Sequence, residues 1–434
     1  MKFIKHLICA FVCTTILSCD KIDGNIALIE DKNFRDYCLD HFDLNNDGDI
    51  SLSEADKVYD IDITGLGASS IEGIEMFKNL ENLYCIGNNF EHLDLQKNTN
   101  LVNLYAGASN VKSVNIQGLD KLRVLNIGDN ELEMIDISTN TNLRQIFISN
   151  TSIRSIDLSG CDKLAEIECM NGLFSSIDFS CCPGLVYIRC RNNPLLRSIN
   201  VTGLSQLQEL SCNVCLLTSL DVSTCTNLLM LFCNENMIKT LNLDGLSKLQ
   251  TLWAYKNKLE TFSARGCSSL LHSHIYDNNL TSIDYYGCRM LAYTNIANNK
   301  LESIDLSSCR TSLIQLFCQD NNLENLSIDS FSRLEQVWAF NNNIDEIVIN
   351  YGPKLKELHC YNNPNMTKIH ILGADKLRNL NANDCNLNNV ILSGAANTMD
   401  LFWCQNNPEL KTIKLRNGQT ILNFVADNGV TVSY

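Results

Sequence analysis

The sequence is short of positive charge, of histidine and of long apolar runs. Its 434 residues carry 34 Lys and Arg against 49 Asp and Glu, a formal net charge of −15. Nucleic-acid binding and docking to anionic lipid both need clustered basic side chains, so neither is expected. Beyond the first eighteen residues no segment approaches the ~20 apolar residues of a membrane span. The seven histidines are scattered and no Gly-rich phosphate loop appears. Glu166, Glu168, Glu209 and Glu357 have no obvious partner base, so no catalytic set emerges and no enzyme is expected. The single CxxC, Cys212 to Cys215, lacks the second pair that a zinc site requires.

What the chain has is a period. A leucine recurs every 21 or 22 residues from Leu80 through Leu101, Leu122 and onward to Leu377, and Met399 opens the sixteenth copy. A period of this size means a stacked solenoid, which grows without one central core and usually binds rather than catalyses.

Within a copy, counting the opening residue as zero, apolar residues recur at +3 and +5. That is strand alternation, with +2, +4 and +6 facing outward. Position +5 is Cys, Ala or Ile, small enough to sit under a neighbouring coil. Position +8 is Asn in eleven of the sixteen copies, from Asn88 and Asn130 to Asn407. There the chain turns inside the stack, and a carboxamide both donates and accepts, so a ladder of Asn side chains can satisfy the turning backbone. Ser109, Thr151, Cys215 and Cys385 are small polar substitutes, and Gly172 reads as a weak rung. An apolar pair at +13 and +15 predicts a second extended segment or a short 3₁₀ turn, because so short a coil has little room for a helix. Most of the 21 cysteines follow the period and so read as small core residues. A bridge between stacked neighbours such as Cys169, Cys190, Cys212 and Cys233 is sterically conceivable.

The first residues read as a secretory leader. Lys2 and Lys5 charge the start, Leu7 to Leu17 is mostly apolar, and Ile16-Leu17-Ser18-Cys19 looks like a bacterial lipobox, with Cys19 the acylated residue. The alternative is an ordinary secretory signal in which Cys19 is incidental. Loss of Lys2 and Lys5 with the leader takes the charge from −15 to −17.

The pattern L-x-x-L-x-[CAI]-x-x-N-x-L, the segments Leu93-Asp94-Leu95, Ile156-Asp157-Leu158-Ser159 and Ile304-Asp305-Leu306-Ser307, and the lipobox together resemble internalin-type leucine-rich repeats. More closely they resemble exported leucine-rich-repeat lipoproteins of Bacteroidetes. The resemblance implies an α/β-type solenoid dominated by β structure: a horseshoe or arc with a parallel concave sheet, short non-helical or 3₁₀ convex segments and a small helical N-terminal cap. It also implies a lipid anchor in the bacterial cell envelope, with the outer membrane and its surface the first choice; Asp20-Lys21-Ile22-Asp23 matches the acidic export signals of Bacteroidetes only in part, so the membrane and its face stay open. The expected organisation is a leader over 1–18, a tether over 19–30, a cap over 31–58, a degenerate coil over 59–79, sixteen repeats over 80–419 and a closing strand over 420–434.

The cap contains Asp43-Leu44-Asn45-Asn46-Asp47-Gly48-Asp49-Ile50-Ser51-Leu52-Ser53-Glu54, which matches the twelve-residue EF-hand loop at each diagnostic position. The calcium reading gives side-chain oxygens from Asp43, Asn45 and Asp47, the carbonyl of Asp49, Ser51 directly or through water, and Glu54. Gly48 makes the turn and Ile50 packs behind it. A structural calcium ion is the expectation; the alternative is a metal-free cap of the same shape.

The outward positions hold fourteen aromatics in 48 sites. A band runs over Trp253, Tyr255, His272, His274, Tyr276, Tyr293, Phe317, Trp338, Phe340, His359 and Tyr361, with Trp403 beyond it. Such rings suit a binding surface; the alternative is that they cover one another. Ser273 and Thr294 replace the inward +3 aliphatic in adjacent coils, with a mutual hydrogen bond expected and Tyr285 filling the lost volume. His272 and His274 flank Ser273, and two imidazoles are too few to define a metal site. The sequence therefore predicts a monomeric, non-catalytic envelope protein that recognises a protein partner on its concave face. A polysaccharide ligand and a purely structural envelope role are the alternatives.

Overall fold

The computed structural model describes residues 28–434. The leader and Cys19 lie outside the described residues. The rest is a parallel β-solenoid. Eighteen short strands, from Asp60–Asp62 to Thr420–Ala426, form one parallel sheet in chain order, one strand per coil. The register puts equivalent positions side by side: Leu83 on Leu104, Leu104 on Leu125, Leu125 on Ile146. Parallel strands need a crossover, and here the crossover is the remainder of the coil. The opening, +3 and +5 residues of all sixteen copies are buried beneath the sheet, as the alternation requires.

The second extended segment is present but interrupted. It forms parallel ladders of two strands (His92–Asp94 with Ser113–Asn115, and Ser176–Asp178 with Ser198–Asn200), three strands (Thr240–Asn242 to Ser282–Asp284) and five strands (Glu346–Ile349 to Thr431–Ser433). Short 3₁₀ turns occur at Ile74–Met76 and Ser307–Cys309. The latter lies in the 22-residue coil opened by Leu291, which has an extra residue but no Asn-Asn-Pro turn.

The turn after each strand is held by the asparagine ladder. Asn257 is typical: its Nδ2 donates to the carbonyls of Cys233 (3.0 Å) and Ala254 (3.2 Å), and its Oδ1 accepts from Ile238 N (3.0 Å). The substitutes take the same carbonyls, with Ser109 Oγ on Cys85 O at 2.9 Å and Cys215 Sγ on Cys190 O at 3.6 Å. Gly172 brings no side chain to the ladder and joins it only as a backbone donor. Its N–H donates to Asn193 Oδ1 at 3.1 Å, and a Cβ there would meet that oxygen at 2.9 Å and the Phe174 ring at 3.0 Å. The ladder also depends on the residue before it. Position +7 has a positive φ in all sixteen copies, from Gly87 at 72° to Asn406 at 57°, including Val214 at 57°.

The eighteen described cysteines are free. Eight are at +5, and six more form a row at +18, where Cys267 and Cys288 each donate to the carbonyl of the preceding coil at 3.1 Å. Burial pushes the thiols up, Cys85 and Cys233 to about 12, which keeps them protonated and unreactive. Cys212 and Cys215 of the CxxC are both buried in this way.

At the N-terminus, helix α1 (Lys32–Phe42) lays Phe34 and Cys38 into the core, with Tyr37 and Phe42 packed against it. Asp31 caps the helix through Phe34 N (2.9 Å) and ties it to the first coil through Ser69 N (2.8 Å). Helix α2 (Leu52–Ala55) follows the acidic loop. At the other end, residues 420–434 hold two strands rather than one: Thr420–Ala426 closes the main sheet and Thr431–Ser433 the second.

Candidate functional site

The outward +4 and +6 positions fall on successive strands about 4.8 Å apart, so rings in neighbouring coils must stack or tilt against each other. Both happen. Tyr255 stacks on Tyr276 with centroids at 4.6 Å, Phe340 on Tyr361 at 4.5 Å, and His272 on Tyr293 at 4.7 Å. Trp253 meets the Phe232 ring edge-on at 5.0 Å and stands at 89° to His274. Trp338 packs on Phe317 at 4.8 Å and stands at 88° to His359. Mutual covering is therefore real, yet incomplete: Trp253 is still 41% exposed and Trp338 38%. The structure gathers every ring of the expected band into these pairs. Trp403, also 38% exposed, stands apart, because the intervening strand presents Asn379 and Asn381.

Burial lowers the pKa of both flanking imidazoles, His274 and His359. His272 further depresses His274 by repulsion, and Glu357 partly counteracts the shift at His359. The two histidines of the H-x-H have different partners, His272 the Tyr293 ring and His274 the Trp253 edge. No cluster of three or more His, Cys, Asp or Glu side chains suited to a metal occurs among the described residues.

Beneath the band, Ser273 and Thr294 do not bond each other. Tyr285 Oη lies between them, 2.8 Å from Ser273 Oγ and 3.0 Å from Thr294 Oγ1. The phenol is fully buried, so its hydroxyl needs partners, and one ring supplies both volume and hydrogen bonds.

Next to the band the sequence reading missed a cation. Arg189 sits among the acids that seemed unpartnered: Nη1 is 2.8 Å from both Glu166 and Glu168, and its Nε and Nη2 meet Glu209 at 2.8 and 3.0 Å. Positions +2 and +4 of three adjacent coils were the available signal: Glu166 and Glu209 are at +2, Glu168 and Arg189 at +4, and Arg189 lies beside Glu168 on the neighbouring strand. One guanidinium among three carboxylates leaves a local excess of negative charge.

In the acidic loop, Asp43 Oδ2 accepts from Gly48 N at 2.9 Å and Asn45 Oδ1 from Asp47 N at 2.8 Å. Asp47 Oδ1 accepts from Asp49 N at 3.1 Å, Gly48 has φ 89°, and Ile50 is buried. Glu54 folds inward: Oε2 accepts from Ser51 N (2.9 Å) and Ser51 Oγ (2.7 Å), and Oε1 from Leu44 N (2.9 Å). These bonds, led by the Ser51 hydroxyl, hold its carboxyl below the usual range. Asp43, Asn45 and Asp47 thus line one turn, while Glu54 faces protein donors.

No family model matches this sequence, and no curated protein is significantly similar to it. Solved structures do match in fold. One is the functional domain of InlJ from Listeria monocytogenes, which includes a cysteine ladder: 22% identity, TM-score 0.54, 88% of this chain and 80% of that one. Another is a leucine-rich-repeat protein of Leptospira interrogans: 16% identity, TM-score 0.57, covering 88% and 97%. A third is the plant peptide hormone receptor RGFR1 in complex with RGF2: 18% identity, TM-score 0.56, covering 83% and 68%. The fold is that of a leucine-rich-repeat protein. In such a solenoid the open sheet offers a broad platform. Shallow clefts occur on that sheet, at Asn103, Val124, Gln145 and Tyr187, and away from it, as in one of about 390 Å³ beside Ile71, Glu75, His92 and Lys97.

Proposed function

We propose that this chain is a non-catalytic binding protein that recognises a protein partner on its concave sheet. The observation that carries this reading is the row of half-covered rings: Trp253 and Trp338 remain about 40% exposed although every neighbour is placed to cover them. Exposed indoles of this kind mark hot spots, and solenoids present them over a long arc. The fold relatives, which include a hormone receptor and an internalin domain, support the same reading. The test is capture of surface proteins by the wild type and by the Trp253→Ala/Trp338→Ala variant, beside a glycan array. Loss of protein capture supports the proposal, undiminished capture places the site elsewhere, and Trp-dependent glycan binding would favour the polysaccharide alternative.

Two features accompany it. The acylation of Cys19 would hold the protein on the bacterial cell envelope; Cys19→Ser should release it to the soluble fraction. No helix among the described residues is long and apolar enough to cross a membrane. The loop would take a calcium ion through Asp43, Asn45, Asp47, the Asp49 carbonyl, Ser51 and Glu54, with Glu54 leaving its N–H donors for the ion. Calcium would then raise the melting temperature, and Asp43→Ala or Glu54→Ala would abolish the rise. An identical melt in chelator would remove calcium from the account.

A further inference from the structure

The two tryptophan clusters are the same cluster twice. Shifting the chain by 85 residues, four coils, carries Phe232 to Phe317, Trp253 to Trp338, His274 to His359, Tyr255 to Phe340 and Tyr276 to Tyr361. The geometry follows. Tryptophan to +6 ring is 6.4 Å in both, tryptophan to histidine is 6.3 and 6.1 Å, and the terminal stack is 4.6 and 4.5 Å at 6° and 7°. The adjacent +2 row differs, with Met230, Thr251 and His272 against Gln315, Gln336 and Glu357. The rings at +4 and +6 are repeated and the +2 row is not.

A second pair of atoms obeys the same shift. Asn234 Oδ1 and Gln319 Oε1, also 85 residues apart, are buried acceptors with no hydrogen-bond partner. Each lies at +6 on the strand next to its tryptophan, and Asn234 is 2% exposed. Few buried polar atoms go unpaired, and each such atom calls for a reason. Asn98 Oδ1 and Asn140 Oδ1 are unpaired in the same way at +18, away from any indole, and all four oxygens are sealed from solvent, so these two atoms add to the duplication without contacting a ligand.

The charge distribution selects the sign of a ligand. From the coil opened by Leu228 to that opened by Leu355, the outward positions carry no Lys or Arg and one carboxylate, Glu357. Lys256 on the adjoining turn pairs with Glu235 at 3.7 Å. The protein as a whole is at −15. Indole faces attract guanidinium and ammonium groups, and arginine brings five donors to the same spot.

The spacing sets the register. Four coils at ~4.8 Å put the tryptophans about 19 Å apart, and an extended peptide advances ~3.3 Å per residue, so the two points are about six residues apart. Six is even, so both side chains leave the same face of the extended segment. We infer that the clusters are two equivalent subsites for one extended, basic segment of a partner protein, with arginine or lysine side chains six residues apart, one on each tryptophan. This rests on the concave-face reading proposed above.

The test uses fluorescein-labelled peptides on a Gly/Ser/Thr background, titrated against the mature chain by anisotropy. They carry one Arg, or two Arg at i,i+4, i,i+5, i,i+6 or i,i+8, or two Leu at i,i+6. The i,i+6 arginine peptide should bind about tenfold or more tighter than the single-Arg peptide, since the second contact is intramolecular. Trp253→Ala or Trp338→Ala alone should reduce it to single-Arg affinity. Trp253→Phe should keep most of the gain. Unchanged far-UV dichroism and melting of each variant exclude misfolding. Equal binding at every spacing, a Leu pair as good as the Arg pair, or indifference to both tryptophans would overturn the inference. If the double tryptophan variant loses protein capture but the peptides show no spacing optimum, the basic-segment inference falls and the concave-face reading stands. Retained protein capture removes both.

Discussion

Tyr285 places its hydroxyl 2.8 Å from Ser273 Oγ, in a core where the +3 residue is apolar in all other coils except the one that carries Thr294. Ser273, Thr294 and Tyr285 are all essentially inaccessible to solvent. Tyr285→Phe removes the bridge and strands two hydroxyls, which should cost about 1–3 kcal/mol in chemical denaturation. Adding Ser273→Ala and Thr294→Val should restore most of that, because an apolar set has no orphaned donor. A triple variant no more stable than Tyr285→Phe would show that the bridge contributes nothing.

The asparagine ladder makes a second forecast. Asn257→Ala frees the carbonyls of Cys233 and Ala254 and the amide of Ile238 inside the stack. A loss of about 2–4 kcal/mol is expected from several unmet backbone groups. Asn257→Cys should lose less, since Cys215 and Cys385 already donate from this position. Equal melting of the two variants would refute the donor argument.

Val214 occupies a left-handed turn with φ 57°, where most other coils use Asn, Asp or Gly. A β-branched residue is strained there, by an amount on the order of 1–2 kcal/mol. Val214 is 40% exposed, so Val214→Asn sacrifices little packing and should raise the melting temperature. A fall on that substitution would show that the valine is compensated by contacts.

Acid should weaken the fold in two steps. His274 and His359 have folded pKa values lowered first by burial, so their neutral forms are favoured. Stability is complete above the usual imidazole value of about 6.5 and declines as pH falls through the lower folded values. Glu54, lowered mainly by the Ser51 hydroxyl, acts below that: its contribution is present above about 4.5 and is lost as pH falls through its folded value. Proton NMR should place both imidazoles below 6.5, and Glu54→Gln should flatten the lower step of the melting profile. Imidazoles titrating at or above 6.5 would contradict the first step.

Much of this was legible in the sequence because a solenoid repeats its constraints. Leu at zero, apolar +3 and small +5 recur often enough to give strand, facing and register, and Asn at +8 gave the ladder. The second extended segment was foreseen, though where its pairing breaks was not. That depends on the exact path of each convex turn, as the 3₁₀ turn at Ser307–Cys309 illustrates. Ser273 and Thr294 were seen as a paired anomaly, yet the hydroxyl that joins them comes from Tyr285, whose reach across the coil no periodicity encodes. Arg189 was missed because charge was judged within one coil rather than across adjacent strands. The 85-residue echo was readable as letters, but Phe, Trp and His at one outward position acquire meaning only when the sheet sets them side by side.

Each turn of the stack rests only on its two neighbours, so the gap between Trp253 and Trp338 is a counted quantity. It can lengthen or shorten only by whole turns, in steps of about 4.8 Å. Removing the turn opened by Leu291 would bring the indoles one step closer and leave each cluster intact. The molecule behaves as a graduated rule, and its selectivity toward long ligands is adjustable by arithmetic rather than by reshaping either grip.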